Sequence, residues 1–153
     1  MNFTWSGRAV VYGLPQSMGS KRLGRINGRP VIIDAKDRQL RSWQGELRAA
    51  MLADAPESPL TGPVEVWVEV VLPRPKSHYG TGKNADKLKP TAPTWAPVRP
   101  DGDKILRAGL DCLTGLWVRD DAQAVMIHAS KRYGARPQTT VRAMELREAE
   151  EGE

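Results

Sequence analysis

The strongest constraint on the fold is the segment 64–71, VEVWVEVV, in which valine recurs at every second position. The side chains between these valines include two glutamates and a tryptophan. Successive side chains of a strand point to opposite faces of a sheet, so this period of two predicts a strand with one buried face. We expect it to lie in the middle of the sheet.

Other strands are predicted from short runs of β-branched residues bounded by glycine or proline. They fall at 8–14, 31–33, 124–133 and 139–146, with a short β-prone run at 116–118. The Asn27-Gly28 dipeptide favours a tight hairpin turn, which pairs the strand at 31–33 with a short strand before the turn.

Two helices are expected. One begins after Asp34, which resembles an N-cap, and runs over 35–55 with Trp43 on its apolar, core-facing side. The other begins near Asp103, after Pro100, and ends at Gly115. The chain is therefore predicted to be a single α+β domain. Its mixed sheet has about five strands, and the two main helices pack mainly on one face.

Charge is distributed unevenly along the 153 residues. Four of the 18 acidic residues lie in 148–153, so 1–147 holds 23 basic and 14 acidic residues and carries a net charge of +9. A body this basic suits a polyanionic partner, whereas the acidic end is expected to be a disordered tail. The sequence has no long apolar run and no secretory leader, so we expect no membrane association and a cytoplasmic location. The single cysteine, Cys112, is expected to be buried.

Acidic residues gather around the second helix. Asp101 and Asp103 stand at its start, Asp111 lies on its charged stripe, and Asp120 and Asp121 form a pair in the turn that follows. If that turn returns beside the helix start, several carboxylates lie within a few ångströms of one another, which is costly without a cation. Clustered carboxylates suit Mg²⁺ or Mn²⁺.

A plainer interpretation of the same residues remains open. Asp101 and Asp103 are residue types that cap helices, and Arg107 stands four residues from both Asp103 and Asp111, the spacing of surface ion pairs. On this interpretation the acidic residues only stabilise a solvated helix.

The segments RPDGDKILRAGLDCLTG at 99–115 and DDAQAV at 120–125 resemble the RusA family of Holliday junction resolvases, which are small phage and prophage endonucleases. The first is similar to that family's Pro-Asp-x-Asp helix start and Asp-Ala-Leu-Thr helix end, and the second to its Asp-Asp-(Ala/Ser)-Gln-Val turn. RPKSHY at 74–79 and GSKR at 19–22 are similar to segments of phage members, and the likeness covers about 8–147. Two positions depart: Gly102 stands where leucine is usual, and Cys112 replaces alanine.

The resemblance implies a role for each matching residue. Asp101, Asp103 and Asp121 would be metal ligands, with Asp111 as an auxiliary carboxylate. Arg107, and less directly Lys104, would contact the scissile phosphate. DNA phosphates would be held by a further set of basic residues: Lys21, Arg22, Arg74 and Lys76. The resemblance also implies a Mg²⁺-dependent homodimer that cuts four-way DNA junctions symmetrically, in the host cytoplasm for a phage-encoded member.

The region 73–100 holds six prolines and six basic residues but one acidic residue. It is predicted to be a long loop that becomes ordered on DNA, with Tyr79 or Trp95 stacking on an unpaired base. Alternatively, the region is a flexible insertion whose charges only keep it soluble. Arg25 and Arg29 either contact DNA or decorate a solvated edge, and Lys131 and Arg132 could extend the basic surface. His78 lacks a second ligand at zinc spacing.

Two other functions are compatible with these features. One is a metal-dependent nuclease that acts more broadly on branched DNA without preferring four-way junctions. The other is a non-catalytic junction-binding protein. The unusual glycine at 102 is compatible with this function, whereas the retained aspartates argue against it.

Overall fold

The computed structural model describes residues 4–17, 21–34 and 37–148. Within these residues, six strands and two helices form the domain, with one-turn 3-10 helices at Lys76–His78, Gly82–Asn84 and Asp121–Gln123. In chain order the main elements are β1 (Ser6–Tyr12), β2 (Lys21–Ile26), β3 (Arg29–Asp34), α1 (Asp37–Leu52), β4 (Val64–Pro73), α2 (Gly102–Leu113), β5 (Ala124–Gly134) and β6 (Gln138–Glu145).

Four strands form one mixed sheet in the order β1-β6-β4-β5. β4 pairs antiparallel with β6 and parallel with β5, so that Val68 lies opposite Val141 on one side and Ala129 on the other. The central position of the alternating strand and the α+β class are confirmed. The sheet has four strands rather than about five, because β2 and β3 pair with each other as a separate hairpin.

Both helices cover the face of the sheet that carries the alternating valines. Val64, Val66, Val68 and Val70 are almost fully buried against apolar side chains of α1 and α2. Gly109 of α2 permits a close approach, since a Cβ atom there would lie 3.2 Å from a methyl group of Val68. Trp43 and Cys112 are buried, as expected. The opposite face is polar: Arg142 lies over the Trp67 ring, which also stacks on His128.

The hairpin turn lies where it was predicted, and the two helices differ from their predicted bounds only at their ends. Asn27 and Gly28 have positive φ angles of 51° and 77°, as a tight turn of this type requires. α1 begins at Asp37 and ends at Leu52, and Asp34 is the last residue of β3 rather than an N-cap; residues 35–36 lie outside the described part. Gly115, with a φ of 84°, follows the end of α2.

The β-prone run 116–118 is not a strand, contrary to expectation. The backbone N–H groups of Leu116, Trp117 and Val118 all donate to the carbonyl oxygen of Leu113, at 3.0–3.2 Å. The segment therefore folds back on the end of α2. The buried Trp117 indole N–H donates to the carbonyl oxygen of Met51 at 2.9 Å, so tertiary contacts outweigh strand propensity here.

The Pro-rich segment between β4 and α2 has local structure of its own. Tyr79 and Leu88 form an antiparallel bridge, and the N–H of Lys89 donates to the carbonyl oxygen of His78 at 2.9 Å. Trp95 forms another bridge with Arg132 of β5. None of the described helices is long and apolar enough to cross a membrane. The predicted acidic tail lies outside the described residues apart from its first residue, Glu148.

Candidate functional site

The amino-terminal end of α2 presents two exposed carboxylates. Asp101 occupies the N-cap position in an extended conformation, but its side chain makes no capping hydrogen bond. Its Oδ2 lies 3.7 Å from Nζ of Lys104, and Asp103 is exposed in the first turn. An exposed ion pair of this kind contributes about 1 kcal/mol or less. Both carboxylates therefore remain accessible to a ligand.

Lys131 of β5 holds the segment that leads into α2. Its Nζ donates to the carbonyl oxygen of Val98 and, at 2.8 Å, to that of Pro100, the residue before Asp101. The predicted role of Lys131 was an extension of the basic surface. That role stays a prediction. The contacts of Lys131 also fix the segment before α2, which sequence reasoning missed because Lys131 follows Val98 and Pro100 by more than 30 residues.

The Asp120–Asp121 pair lies in a tightly bonded turn before β5. The Asp120 carboxylate accepts from the N–H of Ala122 at 2.9 Å, and Gln123 Oε1 accepts from the N–H of Asp120 at 2.9 Å. Gln123 Nε2 donates to the carbonyl oxygens of Leu60 and Gly62, both at 2.8 Å. Gln123 thus anchors the turn. In the sequence, the spacing Asp-x-x-Gln is typical of a capping box and is the pattern that indicates this role of Gln123.

The Asp121 carboxyl group has a raised pKa. Burial contributes most, followed by a hydrogen bond to Asp120 and the negative charges of Asp120 and Asp111; the N–H of Ala122 acts in the opposite direction. Asp111 lies near the carboxyl end of α2, which contacts this turn. Asp111, Asp120 and Asp121 therefore influence one another electrostatically.

The acidic residues thus form two groups, one at each end of α2. Asp103 and Asp111 are eight residues apart, which is about 12 Å along a helix axis. Arg107 is exposed midway between them and forms no ion pair with either, among the described residues. Within residues 4–17, 21–34 and 37–148, no three acidic, histidine or cysteine side chains lie close enough together to hold a metal ion.

Arg74, Lys76 and either Tyr79 or Trp95 are predicted to contact DNA. Arg74 is half-buried: its Nη1 donates to the carbonyl oxygen of Pro93 at 2.7 Å, and its guanidinium lies 5.6 Å from the Tyr133 ring centroid. Arg74 therefore holds the loop against the sheet. Lys76 and Trp95 are exposed. Lys21 and Arg22 begin β2, but their side chains lie outside the described part of the chain.

The sequence model of the family Endodeoxyribonuclease RusA matches residues 13–144 of the chain. The chain belongs to this family. It is also similar to the uncharacterised protein YqaN of Bacillus subtilis (strain 168), with 32% identity over 145 residues that cover 90% of this chain and 94% of YqaN. The predicted family resemblance is confirmed, and with it an endonuclease class that acts on DNA.

RusA family nucleases depend in general on divalent metal ions, and the carboxylates described above have suitable chemistry. Exposed oxygen donors that repel one another favour a hard cation. Among the residues that the structure describes, their spacing does not by itself form a three-ligand site. The assignment of Asp101, Asp103 and Asp121 as metal ligands therefore stays a prediction, as do the roles of Asp111, Arg107 and Lys104.

Proposed function

We propose that this RusA family protein is an endodeoxyribonuclease that resolves four-way DNA junctions by paired, symmetric hydrolysis, in the cytoplasm of the cell or of a phage host. The observation that carries this proposal is that exposed carboxylates lie at both ends of α2, with the Arg107 guanidinium between them, in a chain of this family. The net charge of +9 over 1–147, with 23 basic and 14 acidic residues, favours binding to a DNA backbone.

Within this proposal, Asp101, Asp103 and Asp121 would hold Mg²⁺ or Mn²⁺. A bound divalent ion supplies a more acidic water and neutralises charge on the phosphate. Arg107 would bind a non-bridging phosphate oxygen, because a guanidinium donates two parallel hydrogen bonds to such a group. Lys104 is a weaker partner for the phosphate, since its amine is already near Asp101.

Asp111 would act on Asp121 rather than on the DNA. Its negative charge raises the pKa of the Asp121 carboxyl group, so the two groups share one electrostatic environment. Lys21, Arg22, Arg74 and Lys76 would contact phosphates outside the cleaved bond. The hydrogen bond from Arg74 to Pro93 leaves part of its guanidinium for this purpose.

Cleavage of a synthetic four-way junction tests the proposal directly. A matched linear duplex is the comparison substrate, each with Mg²⁺ or with EDTA. The expected result is paired symmetric nicks in the junction, only with Mg²⁺ and only by protein that retains Asp121; Asp121→Asn should bind the junction without cutting it. The control Glu57→Gln removes an exposed carboxylate far from α2 in the sequence and should cut normally.

Two results would replace the proposal with another function. Equal cleavage of flaps, forks and four-way junctions would show a broader branched-DNA nuclease. Tight junction binding without cleavage in either Mg²⁺ or Mn²⁺ would show a non-catalytic binding protein whose aspartates are structural.

A further inference from the structure

The two helices pack side by side and run in the same direction. Gln44 of α1 donates through Nε2 to the carbonyl oxygen of Ala108 at 3.0 Å, and Arg48 donates through Nη2 to that of Asp111 at 3.4 Å. Contacts therefore advance along both helices together. Gln44 and Ala108 are buried between them. We call the surface channel above this buried pair the α1–α2 groove.

The α1 side of the groove carries a row of arginine, glycine and arginine. Arg41, Gly45 and Arg48 are exposed and follow the spacing i, i+4, i+7, which places them in one line along a helix. A Cβ atom at Gly45 would meet open space within 4 Å. No described side chain therefore fills the groove in the middle of this row.

The α2 side of the groove carries a second row, Lys104, Arg107 and Asp111, at the spacing i, i+3, i+7. Arg107 is exposed, and the other two side chains are half-buried. Because the helices run in the same direction, Arg41 lies towards the Lys104 end of the groove and Arg48 lies at the Asp111 end. The two rows together hold four basic residues and one acidic residue, so the groove is positively charged.

Arg48 is bound only weakly by the protein itself. Its long hydrogen bond to the carbonyl oxygen of Asp111 uses one of the five N–H donors of a guanidinium, at the end of α2 where basic side chains often bind the last carbonyl groups. Among the described residues, Arg48 forms no other hydrogen bond and no ion pair. Its charge and its remaining donors are therefore available to an anion in the groove.

We propose that the α1–α2 groove binds the phosphate backbone of one strand of the DNA substrate, with Arg48 and Arg41 as DNA-binding residues on α1. A row of cations suits an evenly charged polymer better than a small anion, since positions 41 and 48 are about 10 Å apart along a helix axis and a DNA strand carries a phosphate about every 3.4 Å. The groove leads from the acidic start of α2 to Asp111, so a strand lying in it would pass both acidic groups. Such contacts position a backbone without reading its sequence.

The identity of the polymer as DNA rests on the proposed function, whereas the groove and its charge do not. Two variants at Gly45 test the electrostatic part without removing any contact. Gly45→Glu and Gly45→Lys place opposite charges in the same open space, and both residues favour helices more than glycine does. Urea unfolding should therefore show that neither variant is less stable than the wild type.

Binding of a labelled four-way junction in EDTA, measured by fluorescence anisotropy, separates the two variants. Gly45→Glu should bind about threefold to fivefold more weakly than the wild type at low salt, and Gly45→Lys should bind more tightly by a similar factor, the effect of one exposed charge. The difference should shrink as salt is added. Equal affinities of the two variants at low salt would overturn the proposal.

Arg48→Gln tests the arginine directly, because glutamine keeps a donor for the Asp111 carbonyl oxygen but has no charge. It should lower the slope of log affinity against log salt by about 0.9, the value for one phosphate contact. The control Arg8→Gln removes an exposed arginine from β1, on the face of the sheet opposite the helices, and should leave the slope unchanged. A slope for Arg48→Gln equal to that of the control would overturn the role of Arg48.

The same proteins distinguish failure of the groove from failure of the nuclease. If the Gly45 variants bind equally but the wild type still nicks the junction with Mg²⁺, the groove is refuted and the proposed function stands. If binding follows the charge at position 45 but the wild type never cleaves in Mg²⁺ or Mn²⁺, the nuclease function is refuted and the groove stands.

Discussion

Lys131 of β5 donates a hydrogen bond through Nζ to the carbonyl oxygen of Pro100, at 2.8 Å, directly before Asp101, the N-cap residue of α2. The same amine also donates to the carbonyl oxygen of Val98. A charged donor thus fixes residues 97–100, which belong to no helix or strand. The position of Asp101 and Asp103 relative to the sheet depends on this contact.

Lys131→Met should therefore loosen the entry into α2. Methionine keeps most of the side-chain length but cannot donate, so we expect a loss of about 1–2 kcal/mol in unfolding free energy and slower junction cleavage. Urea unfolding measures the first effect, and hydrogen exchange at 98–103 should show faster exchange. Lys83→Met, on an exposed one-turn helix of the loop, is the matched control. Unchanged exchange at 98–103 would contradict the anchoring role.

Gln123→Ala should weaken the turn that carries Asp121. The side chain bonds to Leu60, Gly62 and Asp120. Its loss leaves the carbonyl oxygen of Gly62 without this donor, whereas the carbonyl oxygen of Leu60 still accepts from the N–H of Arg119. We expect a loss of about 1–3 kcal/mol in stability and a fall in cleavage rate greater than the fall in junction affinity. Gln39→Ala, at an exposed position of α1, should change neither. A normal cleavage rate would show that Asp121 does not depend on this anchor.

Two glycines in helices should respond oppositely to the same substitution. A side chain at Gly109 of α2 would press on Val68, whereas one at Gly45 of α1 would meet open space. Gly109→Leu should destabilise the protein by about 1–3 kcal/mol through overpacking, and Gly45→Leu should stabilise it by a few tenths to about 1 kcal/mol through helix propensity. Urea midpoints measure both. Equal effects at the two positions would contradict the close packing of α2 on β4.

Cys112 should be unreactive until the protein unfolds. Burial raises the pKa of its thiol to about 11 from 9.0, an effect that Arg48 partly offsets. Because the raised pKa belongs to the folded state, the contribution to stability is complete below pH 9 and is lost as the pH rises from about 9 towards 11. Cys112→Ala should flatten this alkaline loss of stability. Rapid labelling of the native thiol at pH 8 would show that it is accessible.

Lys21→Ala combined with Arg22→Ala should weaken junction binding and lower its salt dependence. Each phosphate contact that is lost reduces the slope of log affinity against log salt by about 0.9, so a decrease between about 1 and 2 is expected for the pair. Arg25→Ala with Arg29→Ala, at exposed positions of the same hairpin, is the comparison. An unchanged slope for the first pair would place the DNA path elsewhere.

Regular patterns in the sequence predicted the elements that they encode locally. The alternating valines identified the central strand, Asn27-Gly28 identified the hairpin turn, and the two apolar stripes identified both helices. These predictions succeeded because period, turn geometry and burial follow from neighbouring residues. The prediction for 116–118 failed because Trp117 is held by Met51, a residue far away in the chain.

The sequence by itself determined the α+β class, the family membership and which carboxylates could bind a cation, since all of these depend on residue types at short spacings. Only the tertiary structure decided where those carboxylates lie. α2 separates Asp103 from Asp111 and Asp121. Lys131 ties the start of α2 to one end of β5, and Gln123 fixes the turn before the other end. A helix keeps its two ends apart whatever side chains it carries, because its length is set by the number of its residues, so the distance between these acidic groups follows from the fold and not from their identities.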